Sequence, residues 1–417
     1  MNNKILSFLT FFIVIYLAFN FFPVETAAKE TPNAQESDDV VVVSNPKTPD
    51  KKMRIVFTEE LSIGEAEGDE NYMFGSVVIF NTDEEGNFYV ADYDNHRILK
   101  YDPEGQHLLT FGREGQGPGE FRSISIPRFD KDRNLYITYA LNRRISFFDK
   151  DGQYLKQIKL LERYNDVYLN SKGFMLATRW NMFPEDNKMK MNYVYGLFDS
   201  AFNLTAELHK YESGFPSPAG TDESALVKSL ASALSTSAFA PQAGYTLANN
   251  DFIYLGYSEK FEIKIYSPDG KLVKKITRDY DPIPVSKKDK ERYAQRSLDQ
   301  MTSPIFTEDI KKKVIPLIKY PKYKPAYLRF NLLENGWLLV LVDFTEDEHY
   351  LLDIFDQEGK YIAQFKTQVP AEGMLAGFLS FKNGKAYAVA NKDDYMFVKR
   401  YSIEIQEFID GKWTQKK

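Results

Sequence analysis

From Phe80 to Phe121 the chain alternates short apolar runs with turn residues: FNTDEEGNFYVADYDNHRILKYDPEGQHLLTFGREGQGPGEF. Asn87–Ala91, Arg97–Tyr101 and His107–Phe111 have the length and the aromatic and aliphatic content of strands. Asp83-Glu84-Glu85-Gly86 and Asp102-Pro103-Glu104-Gly105 punctuate them. Proline at the second turn position presets φ, and a closing glycine tolerates φ > 0, so both tetrapeptides predict tight antiparallel connections. One such meander cannot bury both of its faces, so the fold depends on whether it recurs.

It recurs over Asp130–Gly152, Asn170–Asn203, Asn249–Gly270, Leu333–Gly359 and Lys382–Ile405. The clearest anchor is the turn after the third strand: Asp102–Gly105, Asp149–Gly152, Ser267–Gly270 and Asp356–Gly359, with a degenerate copy at Asp199–Phe202. Equivalent strand starts fall at Phe88, Leu135, Phe174, Phe252, Trp337 and Ala386, at spacings of 47, 39, 78, 85 and 49 residues. A period of about 40 to 50 residues with four strands per unit marks a β-propeller, and the two long spacings carry insertions. The reading is therefore all-β, a six-bladed β-propeller of four-stranded antiparallel blades over residues 53–410. A β-sandwich would have to produce the recurrent turn by coincidence. Met53–Ile63 belongs to no complete unit and the last unit lacks a strand, so the N-terminal strand is expected to close the last blade and remove the open edges.

The insertions follow blades 3 and 4 and are read as helical. In 211–243, Asp222–Phe239 has an acidic first turn and apolar Leu226, Leu230 and Leu234. In 280–325, Ser286–Met301 and Thr307–Tyr320 each begin on a capping residue, and Pro316 is expected to end the second. Up-and-down topology puts the second-to-third-strand corners and the connections between blades on one end of the ring. That end carries both insertions and a long expected loop, Trp180–Asn192. The other end has only tight turns. Function concentrates on elaborated loops of a rigid scaffold, so the elaborated end is the candidate binding face.

The run Asp92-Tyr-Asp-Asn-His-Arg-Ile98, the Asp-x-x-Gly turn and the exit Gly117-Pro-Gly-Glu-Phe121 resemble an NHL repeat. The likeness holds over Asn87–Phe121 and more loosely over Asn134–Ile158. Residues 53–410 as a whole resemble bacterial exported six-bladed propellers of undefined function. The resemblance implies the fold; NHL-like propellers serve as scaffolds, lyases and lactonases alike, so it does not choose a function. It also implies that Asp92, Asn95 and Arg97 turn a corner through side-chain-to-backbone bonds.

Met1–Phe22 is Met-Asn-Asn-Lys followed by an apolar run from Ile5, with Thr26-Ala27-Ala28 as a small-residue cleavage site. Residues 1–28 are read as a signal peptide or an uncleaved membrane anchor; either places the ring outside the cytoplasm, periplasmic or secreted. Polar 29–52 is read as a disordered linker and 411–417 as a tail. The chain has no cysteine, which excludes disulfides, thiolate zinc sites and lipoprotein anchoring. A net charge of −6 without a basic face argues against nucleic acid. The protein is read as a monomer.

The corner residues on the elaborated end are the candidate ligand-binding set: Asp92, Asp94, Asn95, His96, Asn142, Arg143, Trp180, Asn181, Glu259, Lys260, Glu346, His349 and Asp393. No catalytic Ser-His-Asp set or phosphate-binding loop is visible. Four histidines, two of them on or beside outer strands, leave too few for a three-histidine zinc centre. The first functional reading is a non-catalytic binding or scaffold module for a protein, peptide or glycan, with no cofactor. The alternative is a Ca²⁺-dependent hydrolase, lactonase or lyase at the tunnel mouth, which needs at least three oxygen ligands from different blades at about 2.3–2.6 Å.

Overall fold

The recurrent turn is one local device used many times. Asp102 Oδ1 accepts the backbone N–H groups of Glu104 (3.0 Å) and Gln106 (2.7 Å), and Asp149, Asp199 and Asp356 take the equivalent pairs. Asp130 and Asn170 build the same turn between first and second strands. The closing residue is left-handed: Gly105 has φ +85° and Gly359 +87°. In the degenerate copy Phe202 takes φ +65° instead, and its side chain packs into the seam between blades 2 and 3. Gly105 is doubly constrained, since a Cβ there would lie 3.0 Å from Leu61 of the neighbouring blade.

The structure is a computed structural model that describes residues 39–415 except 123, 140–142, 186–187, 217–221, 300, 302–305, 348, 368–379 and 394, and the side chains of 184–185, 188–189 and 214–216. The expected signal peptide or anchor, the first part of the linker and Asn142 lie outside these residues. Two strands, β1 (Val41–Asn45) and β2 (Met53–Ile63), precede the first complete blade. Blade 1 is β3 (Val78–Thr82), β4 (Phe88–Asp92), β5 (Arg97–Tyr101) and β6 (His107–Phe111). Blade 2 is β7 (Arg128–Phe129), β8 (Leu135–Tyr139), β9 (Arg144–Phe148) and β10 (Tyr154–Lys159). Blade 3 is β11 (Arg163–Leu169), β12 (Met175–Glu185), β13 (Lys188–Phe198) and β14 (Leu204–Pro216). After helix α1 (Glu223–Ser237), blade 4 is β15 (Ala243–Leu247), β16 (Ile253–Tyr257), β17 (Glu262–Tyr266) and β18 (Leu272–Arg278). Helices α2 (Lys287–Asp299) and α3 (Glu308–Val314) precede blade 5, which is β19 (Arg329–Leu332), β20 (Leu338–Phe344), β21 (Tyr350–Phe355) and β22 (Tyr361–Thr367). Blade 6 is β23 (Ser380–Lys382), β24 (Lys385–Lys392), β25 (Tyr395–Ile409) and, as its fourth strand, β2; β26 (Lys412–Gln415) pairs with the far end of β25.

The ring is therefore closed by the N-terminal strand, with Met53–Ile63 antiparallel to Val398–Glu407. First strands line the axis: β19 touches both β15 and β23. Each seam between neighbouring blades holds its own apolar cluster, so central strands are buried on both sides and read as continuous apolar runs. The glycine-rich exit of blade 1 delivers Phe121 into the next seam; Phe121 is fully buried and lies against Gly112 so closely that no Cβ would fit there.

Three expectations change. Val41–Asn45, expected within the disordered linker, is a fifth strand on blade 4, parallel to Lys274–Arg278. Asn45 anchors it: Nδ2 donates to Thr277 O (3.0 Å) and Gly359 O (2.9 Å), and Oδ1 accepts the Tyr361 N–H (2.7 Å). The expected loop Trp180–Asn192 is the upper part of a continuous hairpin, β12–β13, in which Trp180 pairs with Tyr193. The tail also forms a strand, β26, because Phe408 and Trp413 pack edge to face (5.2 Å).

The helices form as capping predicts. Asp222 accepts the Ala225 N–H (2.8 Å), Thr307 Oγ1 the Ile310 N–H (3.3 Å), and Ser286 and Asp289 cap each other reciprocally. Pro316 falls in a single 3₁₀ turn, Ile315–Leu317, that ends the second insertion's helices. The three helices share a core of their own, with Leu230, Leu234, Ala294, Leu298, Ile310 and Val314 buried together. No described helix is long and apolar enough to cross a membrane.

Candidate functional site

The second-to-third-strand corners do lie at one end of the ring, together with both helical insertions, but most of the expected side chains there are spent on building corners. Asp92 is wholly buried. Its carboxylate accepts from Gly75 N (3.1 Å), Asn95 Nδ2 (2.8 Å) and Arg97 Nε (3.0 Å). Arg97 in turn donates to the carbonyls of Glu70 and Met73, so this cluster fixes residues 70–76 against blade 1. Asp94 Oδ2 takes the N–H and Oγ of Ser76, both at 2.6 Å. His96, Arg143 and Asp393 supply the left-handed residue of three corners, at φ +52°, +50° and +51°.

Trp180 is the clearest correction. It is 3 % exposed and packs with Met191, Tyr193 and Tyr211 in the seam between blades 3 and 4, so it is a core residue and not part of a binding face. Tyr293 is half-buried inside the helical layer, where its hydroxyl bonds Ser237 Oγ (2.7 Å) and Leu234 O (2.8 Å). Asn181, Glu259, Lys260 and Glu346 are exposed, and Lys260 sits 3.5 Å from Glu262. His349 Nδ1 is held by Asp347 O (2.7 Å). Among the described residues no three His, Asp or Glu side chains are grouped to hold a metal ion. The carboxylates of Asp92 and Asp94 are committed to their own corners, so these residues do not fit a Ca²⁺ centre.

What sequence reasoning missed is charge under the second insertion. Lys324 Nζ lies 2.8 Å from both Asp289 of α2 and Asp343 of β20, and all three side chains are buried. Burial raises the Asp343 carboxyl against the pull of Lys324. Burial also works against the charge on Asp289, but bonds from Lys324 and Ser286 more than offset it and hold that carboxyl low. A second buried pair, Arg278–Asp353 (3.2 Å), joins blades 4 and 5, with the Tyr361 hydroxyl and Gln364 Nε2 each 2.9 Å from Asp353 Oδ1. The hint in the sequence was the isolated charge inside an apolar run, as in Leu338–Phe344 and Tyr350–Phe355.

The opposite end has a cavity of about 240 Å³ at the seam between blades 2 and 3. Ile145, Phe147, Ile158, Leu169, Met175 and Phe202 floor it, and the turns at Asp130–Asp132 and Asp199–Ser200 rim it.

Residues 78–252 match a family model, DUF5128, described as a 6-bladed beta-propeller. No curated protein matches the chain. Among solved structures, a protein of Bacteroides fragilis assigned as exported is similar over 87 % of this chain and 100 % of its own, at 11 % identity and a TM-score of 0.50. A member of the DUF4221 family from Bacteroides vulgatus is similar over 85 % of this chain and 99 % of its own, at 8 % identity and a TM-score of 0.46. A gluconolactonase of Xanthomonas campestris is similar over 91 % of this chain and 97 % of its own, at 11 % identity and a TM-score of 0.37. At such identities the likeness concerns fold alone. The protein is a six-bladed β-propeller, similar in its fold to bacterial propellers of unknown function.

Proposed function

We propose that the protein is an extracytoplasmic, non-catalytic binding or scaffold module that holds a protein, peptide or glycan on the helix-bearing end of its ring. One observation carries this reading. That end supports a separately packed three-helix layer and an 11-residue-per-strand hairpin, whereas the other end is closed by short Asp turns. A layer with its own core, set on a rigid ring, offers a broad, shaped and pre-organised surface. The apolar run from Ile5 to Phe22 supports export, as signal or anchor, and the likeness to a protein assigned as exported agrees with it.

The test is binding of the full chain to glycan and peptide arrays, beside a triple variant of exposed residues on that end, Arg143→Glu, Lys260→Glu and Arg296→Glu. Binding lost in a variant with an unchanged melting temperature supports the assignment. Equal binding by both proteins moves the site to the other end, and turnover of a bound ligand overturns the non-catalytic reading.

A further inference from the structure

Arg329 opens the first strand of blade 5, on the row of strands that lines the axis, immediately after the helical insertion. It is opposite Leu341, on the side of the sheet that faces blade 6, where Tyr350 and Leu352 also pack. Its Nε is shut off from solvent and has no hydrogen-bond partner among the described residues. The Nε atoms of Arg144 and Arg278 are unpartnered as well, but those guanidiniums are matched through their terminal nitrogens: Arg278 by Asp353 at 3.2 Å, and Arg144 by the carbonyls of Gln116 and Glu120, both at 2.7 Å. Arg329 has instead a second cation, Arg296 of α2, and the Tyr350 hydroxyl within electrostatic reach.

Further cations stand nearby. Arg292, one helical turn before Arg296, stacks on Phe344 (4.5 Å) and points its guanidinium at the carbonyls of Phe344 and Thr345. Lys288 reaches the Glu346 carbonyl (2.5 Å). The nearby carboxylates, Asp289 and Asp343, are already shared by Lys324. A chain of net charge −6 thus gathers positive charge at one seam and leaves the Arg329 guanidinium without a counter-ion among the described residues. An unpaired buried charge is costly, and a planar guanidinium with free N–H groups is built to receive a carboxylate, sulfate or phosphate. Burial first, and then the Arg296 charge, push Arg329 down to about 10, and burial raises Tyr350.

We propose that Arg329, Arg296 and Tyr350 form an oxyanion-binding site at the seam of blades 5 and 6, on the helix-bearing end, for the acidic group of the ligand. The site rests on the binding reading above and narrows it to a partner that presents a carboxylate, a sulfate or a phosphate.

The experiment is thermal melting of the full chain in chloride buffer and, at matched ionic strength, in millimolar glucuronate, acetate, sulfate and phosphate, with Arg329→Met and Arg296→Met alongside. A saturable rise in melting temperature with one anion class, absent from Arg329→Met and weakened in Arg296→Met, supports the site; the responding anion separates carboxylate from sulfate or phosphate. Arg329→Met should melt no lower than the wild type in chloride, because it loses no partner. Three results overturn the proposal. They are no anion response beyond chloride, an equal response in Arg329→Met, or an Arg329→Met protein that melts clearly lower than the wild type in chloride, which would mean that the chain supplies its own counter-ion. An absent anion response with array binding still lost in the triple variant would remove the anion site and leave the binding face standing.

Discussion

Asn45→Ala tests how the N-terminal strand is held. Asn45 is 6 % exposed, and its amide spans blades 4 and 5 by three hydrogen bonds of 2.7 to 3.0 Å. Truncation leaves the buried Tyr361 N–H and the Thr277 and Gly359 carbonyls without their partner. A buried polar group stripped of its partner costs about 1–3 kcal/mol, and the amide N–H, having no alternative acceptor, should sit near the top of that range. With partial relief of the carbonyls by water, the expected loss is about 2–4 kcal/mol. An unfolding entropy of about 2.1 cal/mol/K per residue over residues 53–410 is about 0.75 kcal/mol/K, so the melting temperature should fall roughly 3–5 °C. Native-state hydrogen exchange supplies the local readout: the Tyr361 amide should exchange much faster, with Blade 1 amides unaffected. Val42→Thr, on an exposed residue of the same strand, should change stability by less than about 0.5 kcal/mol. An Asn45→Ala protein with unchanged melting and unchanged Tyr361 protection would refute the strap.

Three further outcomes follow from the buried charges and the displaced tryptophan. Asp92→Ala takes the acceptor from Arg97 Nε, Asn95 Nδ2 and the Gly75 N–H and should cost about 2–4 kcal/mol in urea denaturation; unaltered stability would return Asp92 to the list of ligand-binding candidates. Lys324→Met leaves Asp289 and Asp343 buried side by side and should cost about 3–5 kcal/mol at neutral pH. In the native protein, the raised Asp343 carboxyl contributes stability that is present below the unfolded value of about 3.9 and lost as pH rises through its folded value. The lowered Asp289 carboxyl contributes stability present above that value and lost on acidification. Without Lys324 both carboxyls shift upward, so the deficit should shrink between pH 7 and pH 4.5; an equal deficit at both would refute the coupling. Trp180→Ala should lower stability by about 3–5 kcal/mol by opening a cavity in the seam between blades 3 and 4, and a neutral effect would contradict its placement there.

Much of the ring was written locally. Asp and Asn followed two to four residues later by free backbone N–H groups, and glycine where φ must be positive, specify turns without help from distant residues, so the repeat, the blade count and the helix caps were legible in the chain. Closure by Met53–Ile63 was also legible, because a ring lacking one strand has one remaining strand to take it. Side-chain destinations were not. Trp180 reads as a loop aromatic until eleven-residue pairing carries it into a seam, and whether a strand extends past its corner depends on partners far along the chain. Val41–Asn45 reads as linker because its hydrogen-bond partners, Thr277, Gly359 and Tyr361, are more than two hundred residues away. The unmatched charge on Arg329 is likewise a property of the assembled seam. Sequence shows an arginine, and only packing decides that Asp289 and Asp343 belong to Lys324 and that Arg296 stands where a carboxylate would balance it. Local backbone chemistry therefore determined the scaffold, while the burial and pairing of charge, which are long-range sums over the folded chain, decided where a ligand is to be sought.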